Sequence, residues 1–87
     1  MRQEPDFFGE AELVLVYIAK KLKEALALEE LLTASEIDYL VEPDTYKGGW
    51  IFMTERVGAF FYVAPEAEAA TRGVLAANRY KAYQPTS

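Results

Sequence analysis

The stretch from Leu13 to Val41 constrains the fold most, because it combines two hydrophobic patterns in a fixed order. Residues 13–18 (LVLVYI) are apolar on both alternating faces, which is typical of a strand that is covered on both sides. Residues 20–35 repeat their apolar positions every three to four residues, as an amphipathic helix does. Residues 37–41 (IDYLV) form a second short apolar run. The stretch therefore predicts strand, helix, strand.

The first strand can be assigned two faces by alternation alone. Strict alternation places Leu13, Leu15 and Tyr17 on one side of the strand, and it places Val14, Val16 and Ile18 on the other.

A second strand–helix unit follows in residues 58–80. Residues 58–63 (GAFFYV) are apolar on both faces, and Pro65 stands where a helix favours proline at its first position, with two glutamates close behind. Together the units predict an α+β, ferredoxin-like two-layer sandwich of order β-α-β-β-α. Residues 50–53 or 80–84 could add a short extra strand. Residues 1–12 are expected to form a flexible N-terminal arm, residues 13–81 the single domain, and residues 82–87 a C-terminal tail.

This arrangement raises the question of what covers the second face of the sheet. In a ferredoxin-like sandwich both helices lie on one face, yet the first and third strands are apolar on both. The uncovered face would expose an apolar patch on the order of several hundred Å², more than soluble monomers usually show. The covering group is either a second subunit, which we favour, or the terminal aromatic residues Phe7, Phe8, Tyr80 and Tyr83.

Composition excludes several classes of function. The chain has 87 residues, a net charge of −5 and no stripe of basic residues, so neither nucleic acid nor an anionic membrane is an expected partner. No apolar run approaches the roughly 20 residues that cross a bilayer, and residues 1–10 do not resemble a signal peptide, so a cytoplasmic, bacterial-type protein is expected.

The chain contains neither cysteine nor histidine, which removes the thiolate and the imidazole as nucleophile, base or metal ligand. We predict no catalytic residue, no metal site and no cofactor.

The connection between the second and third strands is the first candidate site. Pro43 and Asp44 are expected to end the second strand, which leaves residues 42–57 as a long loop. Gly48-Gly49 predicts a turn, because Trp50-Ile51 stands where a phosphate loop needs lysine and a hydroxyl residue. Exposed aromatic side chains and arginine are the residues that binding hot spots use. The candidate contact residues are Tyr46, Lys47, Trp50 and Arg56, with a core position as the alternative for Trp50.

The start of the first helix is the second candidate site. Lys20 and Lys21 stand where the free N–H groups of a helix begin, which is an arrangement that binds anions. The alternative is that solvent screens these lysines, or that Glu24 pairs with Lys20.

The chain also resembles a known family. The matching residues are VYIA (16–19), Glu24-Ala25, the segment from Leu32 to Ile37, and RVGAFFYVAPEAEAA (56–70). Across residues 13–78 the pattern is similar to small bacterial proteins described as prokaryotic signal-transducing proteins, a domain of unknown function placed near the PII-like folds. The family usually has glycine where this chain has Glu36, so the resemblance does not extend to a left-handed helix cap there.

The resemblance implies a ferredoxin-like fold and a regulatory role, and it supplies no catalytic or ligand residues. In PII-like proteins the connection between the second and third strands contacts partners, and residues 42–57 hold that place here. We therefore expect a small regulatory or interaction module that binds a protein or small molecule and is not an enzyme. The alternatives are a small-molecule enzyme of the dimeric ferredoxin-like type, and an anion or nucleotide sensor at the first helix.

Overall fold

The computed structural model describes residues 1–48 and 54–84 of the chain, and it shows a small α+β domain. In chain order the strands and helices are β1 (Val14–Ala19), α1 (Leu22–Ala34), β2 (Leu40–Gly48), β3 (Thr54–Val63) and α2 (Glu68–Ala77). Short 3-10 turns cover Pro5–Phe8 and Pro65–Ala67. The three strands form one sheet in the order β1-β3-β2, and β3 is antiparallel to both of its neighbours. The predicted α+β class is confirmed.

The second strand is longer than the sequence predicts. β2 continues through Pro43 to Gly48, and its ladder with β3 includes the pair Pro43 and Ala59. The prediction that Pro43 and Asp44 end the strand is therefore wrong. Because β2 is the outer strand of the sheet, it needs hydrogen bonds to β3 alone, and an outer strand tolerates the missing N–H of proline.

A β-bulge in β1 changes which residues face the helices. Leu15 is paired with Tyr62 and Tyr17 with Phe61, so Val16 is the extra residue between them. After the bulge the alternation is reversed. Tyr17 therefore packs against the core beneath the helices, whereas Ile18 lies on the opposite face, which corrects the assignment from strict alternation.

Both helices cover the same face of the sheet. The buried core contains Ala25, Leu28 and Leu32 of α1 and Leu75 of α2, packed on sheet residues that share one face. These sheet residues are Val14, Val16, Tyr17, Ala19, Val41, Ala59, Phe61 and Val63. We call the opposite side of the sheet the helix-free face. By register and alternation it carries Leu15, Ile18, Leu40, Glu42, Asp44, Tyr46, Arg56, Gly58, Phe60 and Tyr62.

Helix α1 ends in a Schellman motif without glycine. The Ile37 N–H donates to the Leu32 carbonyl at 3.0 Å, and the Glu36 N–H donates to the Thr33 carbonyl at 3.1 Å. Glu36 has a φ of 59°, which is the left-handed region. The departure from the family pattern at this position therefore does not prevent the left-handed cap. Helix α2 ends in the same way, with Arg79 at a φ of 65° and the Tyr80 N–H bonded to the Leu75 carbonyl.

Replacing Glu36 with glycine is expected to stabilise the protein by about 0.5–1 kcal/mol. The left-handed region costs a non-glycine residue roughly 1–2 kcal/mol, and this gain exceeds the entropy that glycine loses on folding. Urea unfolding at fixed protein concentration measures the change. Ser35→Gly is the matched control, because Ser35 has a φ of −86° and gains nothing from glycine. A loss of stability in Glu36→Gly as large as in Ser35→Gly would contradict the prediction.

The two ends of the described chain lie at opposite edges of the sheet. Near the N-terminus, Arg2 forms a parallel bridge with Tyr39, and the Gln3 N–H donates to the Tyr39 carbonyl at 2.8 Å. Near the C-terminus, the Tyr83 N–H donates to the Val16 carbonyl of β1 at 2.7 Å. The Arg72 side chain pairs with Glu68 at 2.9 Å, as the sequence spacing predicts, and also donates to the Tyr83 carbonyl. Residues 80–84 form no strand despite this contact, so the possible extra strand is not found there, and residues 50–53 lie outside the described residues.

Candidate functional site

The β2–β3 hairpin extends beyond the rest of the sheet. Strand β1 pairs with β3 only as far as Ala59, whereas the β2–β3 ladder continues for five more residue pairs, from Asp44–Gly58 to Gly48–Thr54. At about 3.4 Å per residue, this part of the hairpin is roughly 15 Å long. Most of the segment that was predicted to be a loop is therefore a two-stranded ribbon. We call residues 44–48 and 54–58 the hairpin arm.

The hairpin arm carries the predicted contact residues. Tyr46 and Arg56 are direct cross-strand partners, so their side chains lie on the same side of the ribbon, and Arg56 is exposed. Val57 lies on the other side and is 69% exposed, which is unusual for a valine in a strand. Lys47 belongs to β2, but its side chain lies outside the described residues, as does the whole of Trp50. The interpretations of Trp50 as core or contact residue both stay predictions.

Lys20 brings the two predicted sites together. The Lys20 ammonium lies 5.4 Å from the centroid of the Tyr46 ring, which is a cation–π contact between the start of α1 and the base of the hairpin arm. Lys21 is exposed at the N-cap position of α1. The link between Lys20 and Tyr46 was not visible in the sequence, because it depends on the register of β2 with β3.

Glu24 occupies the space where an anion would approach α1. Its carboxylate accepts hydrogen bonds from the Lys20 N–H at 3.2 Å and from the Tyr17 hydroxyl at 3.0 Å. Burial, and then the Glu24 carboxylate, raise the pKa of Tyr17 to about 12, so Tyr17 stays protonated as the donor. The negative charge at the helix start stabilises α1 and would repel a second anion there.

A groove of about 510 Å³ lies on the helix-free face beside the hairpin arm. Its apolar surface comes from Leu15, Ile18 and Phe60, and two lysines, Lys20 and Lys81, line it as well. Tyr46, Thr45 and Tyr83 complete the lining. Nothing in the sequence places Lys81 and Tyr83 in a groove, because their position depends on the path of residues 80–84 along β1.

The β2 side of the helix-free face carries the opposite charge. Glu42 and Asp44 stand on β2 opposite Phe60 and Gly58 of β3. The pKa of Tyr62 is raised by burial and then by the carboxylates of Asp44 and Glu42, which places all three side chains on one face. The helix-free face therefore has lysines near β1 and carboxylates on β2, with apolar side chains between them.

The terminal aromatic residues cover little of this face. Tyr83 is the one member of the predicted set that lines the groove, whereas Tyr80 packs edge-on against Tyr17 on the helix side, with ring centroids 5.5 Å apart. Phe7 and Phe8 lie elsewhere, beside Ile37 and the first turns of α2. The two predicted covers of the helix-free face, a second subunit and the terminal segments, therefore both stay predictions.

Within residues 1–48 and 54–84, the acidic side chains form no group of three that could hold a metal ion. In the same ranges, no helix has the length and apolar character needed to cross a membrane. Comparison of the chain with protein-family models, with curated proteins and with solved structures found no match, so the family resemblance stays a prediction.

Proposed function

We propose that the protein is a small regulatory or interaction module of ferredoxin-like arrangement, without catalytic activity, that binds a partner through the hairpin arm. The arrangement is supported by the strand order, with β3 antiparallel between β1 and β2. It is also supported by residues 80–84, which run along the outer side of β1, where a ferredoxin-like fold has its fourth strand.

The observation that carries the proposed function is the exposure of the hairpin arm. It presents an arginine and a tyrosine on one side and a largely exposed valine on the other, on a ribbon that β1 does not reach. A two-stranded ribbon of this kind offers both side chains and unpaired backbone groups to a partner. Arginine and aromatic residues contribute most of the energy at many interfaces.

The two alternatives have less support. For an enzyme, the raised pKa of Tyr17 makes that hydroxyl a poor general base over the ordinary pH range. An anion sensor at Lys20 and Lys21 would have to bind beside the Glu24 carboxylate, which already accepts the Lys20 N–H.

Site-specific crosslinking tests the proposed function. A photoreactive phenylalanine analogue at Val57 is expected to yield one dominant adduct in an extract of the source cells, because Val57 lies at the proposed contact surface. The same analogue at Leu26 of α1 is the matched control, since Leu26 is 54% exposed and lies away from the hairpin arm. Adding Arg56→Glu to the Val57 probe is expected to reduce the adduct about tenfold or more, as loss of a hot-spot arginine does.

Three results would contradict the proposal: no adduct at either position, equal adducts at both, or an adduct that Arg56→Glu leaves unchanged. The mass of the adduct identifies the class of partner. An adduct of twice the chain mass alone would mean that the arm contacts a second copy, and the proposal of a different partner would then fail.

A further inference from the structure

We infer that the helix-free face binds a second copy of the chain, with the two-fold axis lying in the interface along β3. This inference does not depend on the hairpin arm having another partner. It rests on the pattern of charge and apolar surface on the helix-free face, and it specifies the geometry of the self-association that the apolar strands predict.

The apolar centre of the face supplies the reason to associate. Leu15, Ile18 and Tyr62 are only half-buried, and the helices lie on the other side of the sheet. The aromatic side chains of β3, Phe60 and Tyr62, stand in the middle of the three strands. Phe60 and Leu40 are already buried within the chain, so with the two-fold axis along β3 the half-buried Leu15, Ile18 and Tyr62 would make the apolar contact, as side chains between the facing sheets of a β-sandwich do.

The charges on either side of this centre are arranged for a second copy. We call Lys20 and Lys81 the basic edge and Glu42 and Asp44 the acidic edge. Lys20 directly follows Ala19, which is paired with Ala59, and Asp44 is paired with Gly58. The two edges therefore stand at the same height along the strands, on opposite sides of β3.

This arrangement selects one orientation. A two-fold axis parallel to β3 places β1 of one copy opposite β2 of the other and leaves positions along the strands unchanged. The basic edge of each copy therefore meets the acidic edge of the other. An in-plane axis that crosses the strands at the height of Lys20 would instead place the basic edges together, which like-charge repulsion opposes. In the favoured orientation the groove beside β1 receives β2 of the second copy. The two lysines of the groove then face Glu42 and Asp44 of that second copy.

Among the described strand residues, Arg56 is the remaining charge that alternation assigns to the helix-free face. It stands on β3 near the projecting end of the hairpin arm, where it approaches the axis. In the proposed dimer, the right-handed twist of each sheet would separate the ends of the two facing β3 strands. The Arg56 side chains of the two copies would therefore be held apart.

The size of the face indicates a weak dimer. Little more than a dozen residues per copy take part, fewer than the roughly 20–30 of a standard interface. We therefore expect a dissociation constant in the micromolar range, and sedimentation equilibrium from about 1 µM to about 500 µM at low salt should show a monomer–dimer equilibrium.

Charge reversal tests the orientation. One variant carries Lys20→Glu and Lys81→Glu, and the other carries Glu42→Lys and Asp44→Lys. Each variant alone is expected to dimerise at least about tenfold more weakly than the wild type, because both contacts become like-charged. An equimolar mixture is expected to form a heterodimer at least as tight as the wild-type dimer, which also shows that both variants fold.

The matched control carries Lys23→Glu and Arg79→Glu, which change the net charge by the same amount at exposed positions away from the helix-free face. Its dimer affinity should stay within about threefold of the wild type. A wild-type chain that is monomeric at every concentration would overturn the inference. So would reversed variants that dimerise normally, a mixture that does not associate, or a control that weakens dimerisation equally.

Discussion

Replacing Phe61 with alanine is expected to lower the free energy of unfolding by about 3–5 kcal/mol. Phe61 is fully buried at the centre of β3, with Tyr17 on one neighbouring strand and Val41 on the other. Its ring also packs against Tyr39, with centroids 5.8 Å apart. The substitution leaves a cavity that a sheet bonded on both sides cannot close. An 87-residue domain has roughly 4–13 kcal/mol of stability in total, so the variant should be near its unfolding threshold.

Urea unfolding followed by circular dichroism measures this loss, at one protein concentration because a dimer would add its own stabilisation. Phe61→Leu is the control, since it keeps most of the volume and should cost less than half as much as alanine. A loss below about 1.5 kcal/mol for Phe61→Ala would mean that this residue is not the centre of the core.

Replacing Gly58 with valine is expected to destabilise the protein by about 1–3 kcal/mol, although valine usually favours a strand. A Cβ atom at Gly58 would lie 3.0 Å from Cε1 of Tyr46, 3.1 Å from the Ala19 carbonyl oxygen and 3.1 Å from Cγ2 of Ile18. The tyrosine ring can move, but the backbone oxygen is fixed by the sheet. The absence of a side chain at Gly58 allows the Tyr46 ring to lie across β3 towards Lys20.

Gly73 provides a control of opposite sign. It lies in the exposed part of α2, and a Cβ atom there would meet no atom within 4 Å. Gly73→Ala is therefore expected to stabilise the protein by about 0.5–1 kcal/mol. Thermal and urea unfolding of both variants compare the two glycines. If Gly58→Val and Gly73→Ala both stabilised the protein, the close approach at Gly58 would be refuted.

The main elements could be predicted because local pattern determines them. The run of residues 13–18 and the helical period of residues 20–35 are found as β1 and α1 within about two residues at each end. Alternation along β3 also separates Phe61, which belongs to the core under the helices, from Phe60, which is buried on the helix-free face. These features depend on near neighbours in the sequence, which a period of 2 or 3.6 reports directly.

The errors arose where tertiary context decides. The bulge at Val16 reversed the faces of Tyr17 and Ile18, and nothing in an uninterrupted apolar run marks where an extra residue stands. Pro43 looked like a strand end, although an outer strand can contain it. The apolar period of residues 20–35 also includes Leu22, yet this residue is exposed at the first position of α1.

The candidate site could be predicted only in part, because its residues come from distant segments. The chemistry of Tyr46 and Arg56 predicts them as contact residues, but their pairing across the two strands follows from the register of the hairpin. The contact of Lys20 with Tyr46, and the position of Lys81 in the groove that both of them line, depend on the three-dimensional path of the chain.

Pro43 has a further consequence for how copies of the chain can aggregate. An outer strand is a template on which another chain can add, and repeated addition builds fibres. Proline in β2 removes one backbone donor from that template, and on the other outer strand Tyr83 already uses the Val16 carbonyl. Growth of fibres by strand addition is thereby discouraged beside Pro43 on one margin of the sheet and beside Tyr83 on the other.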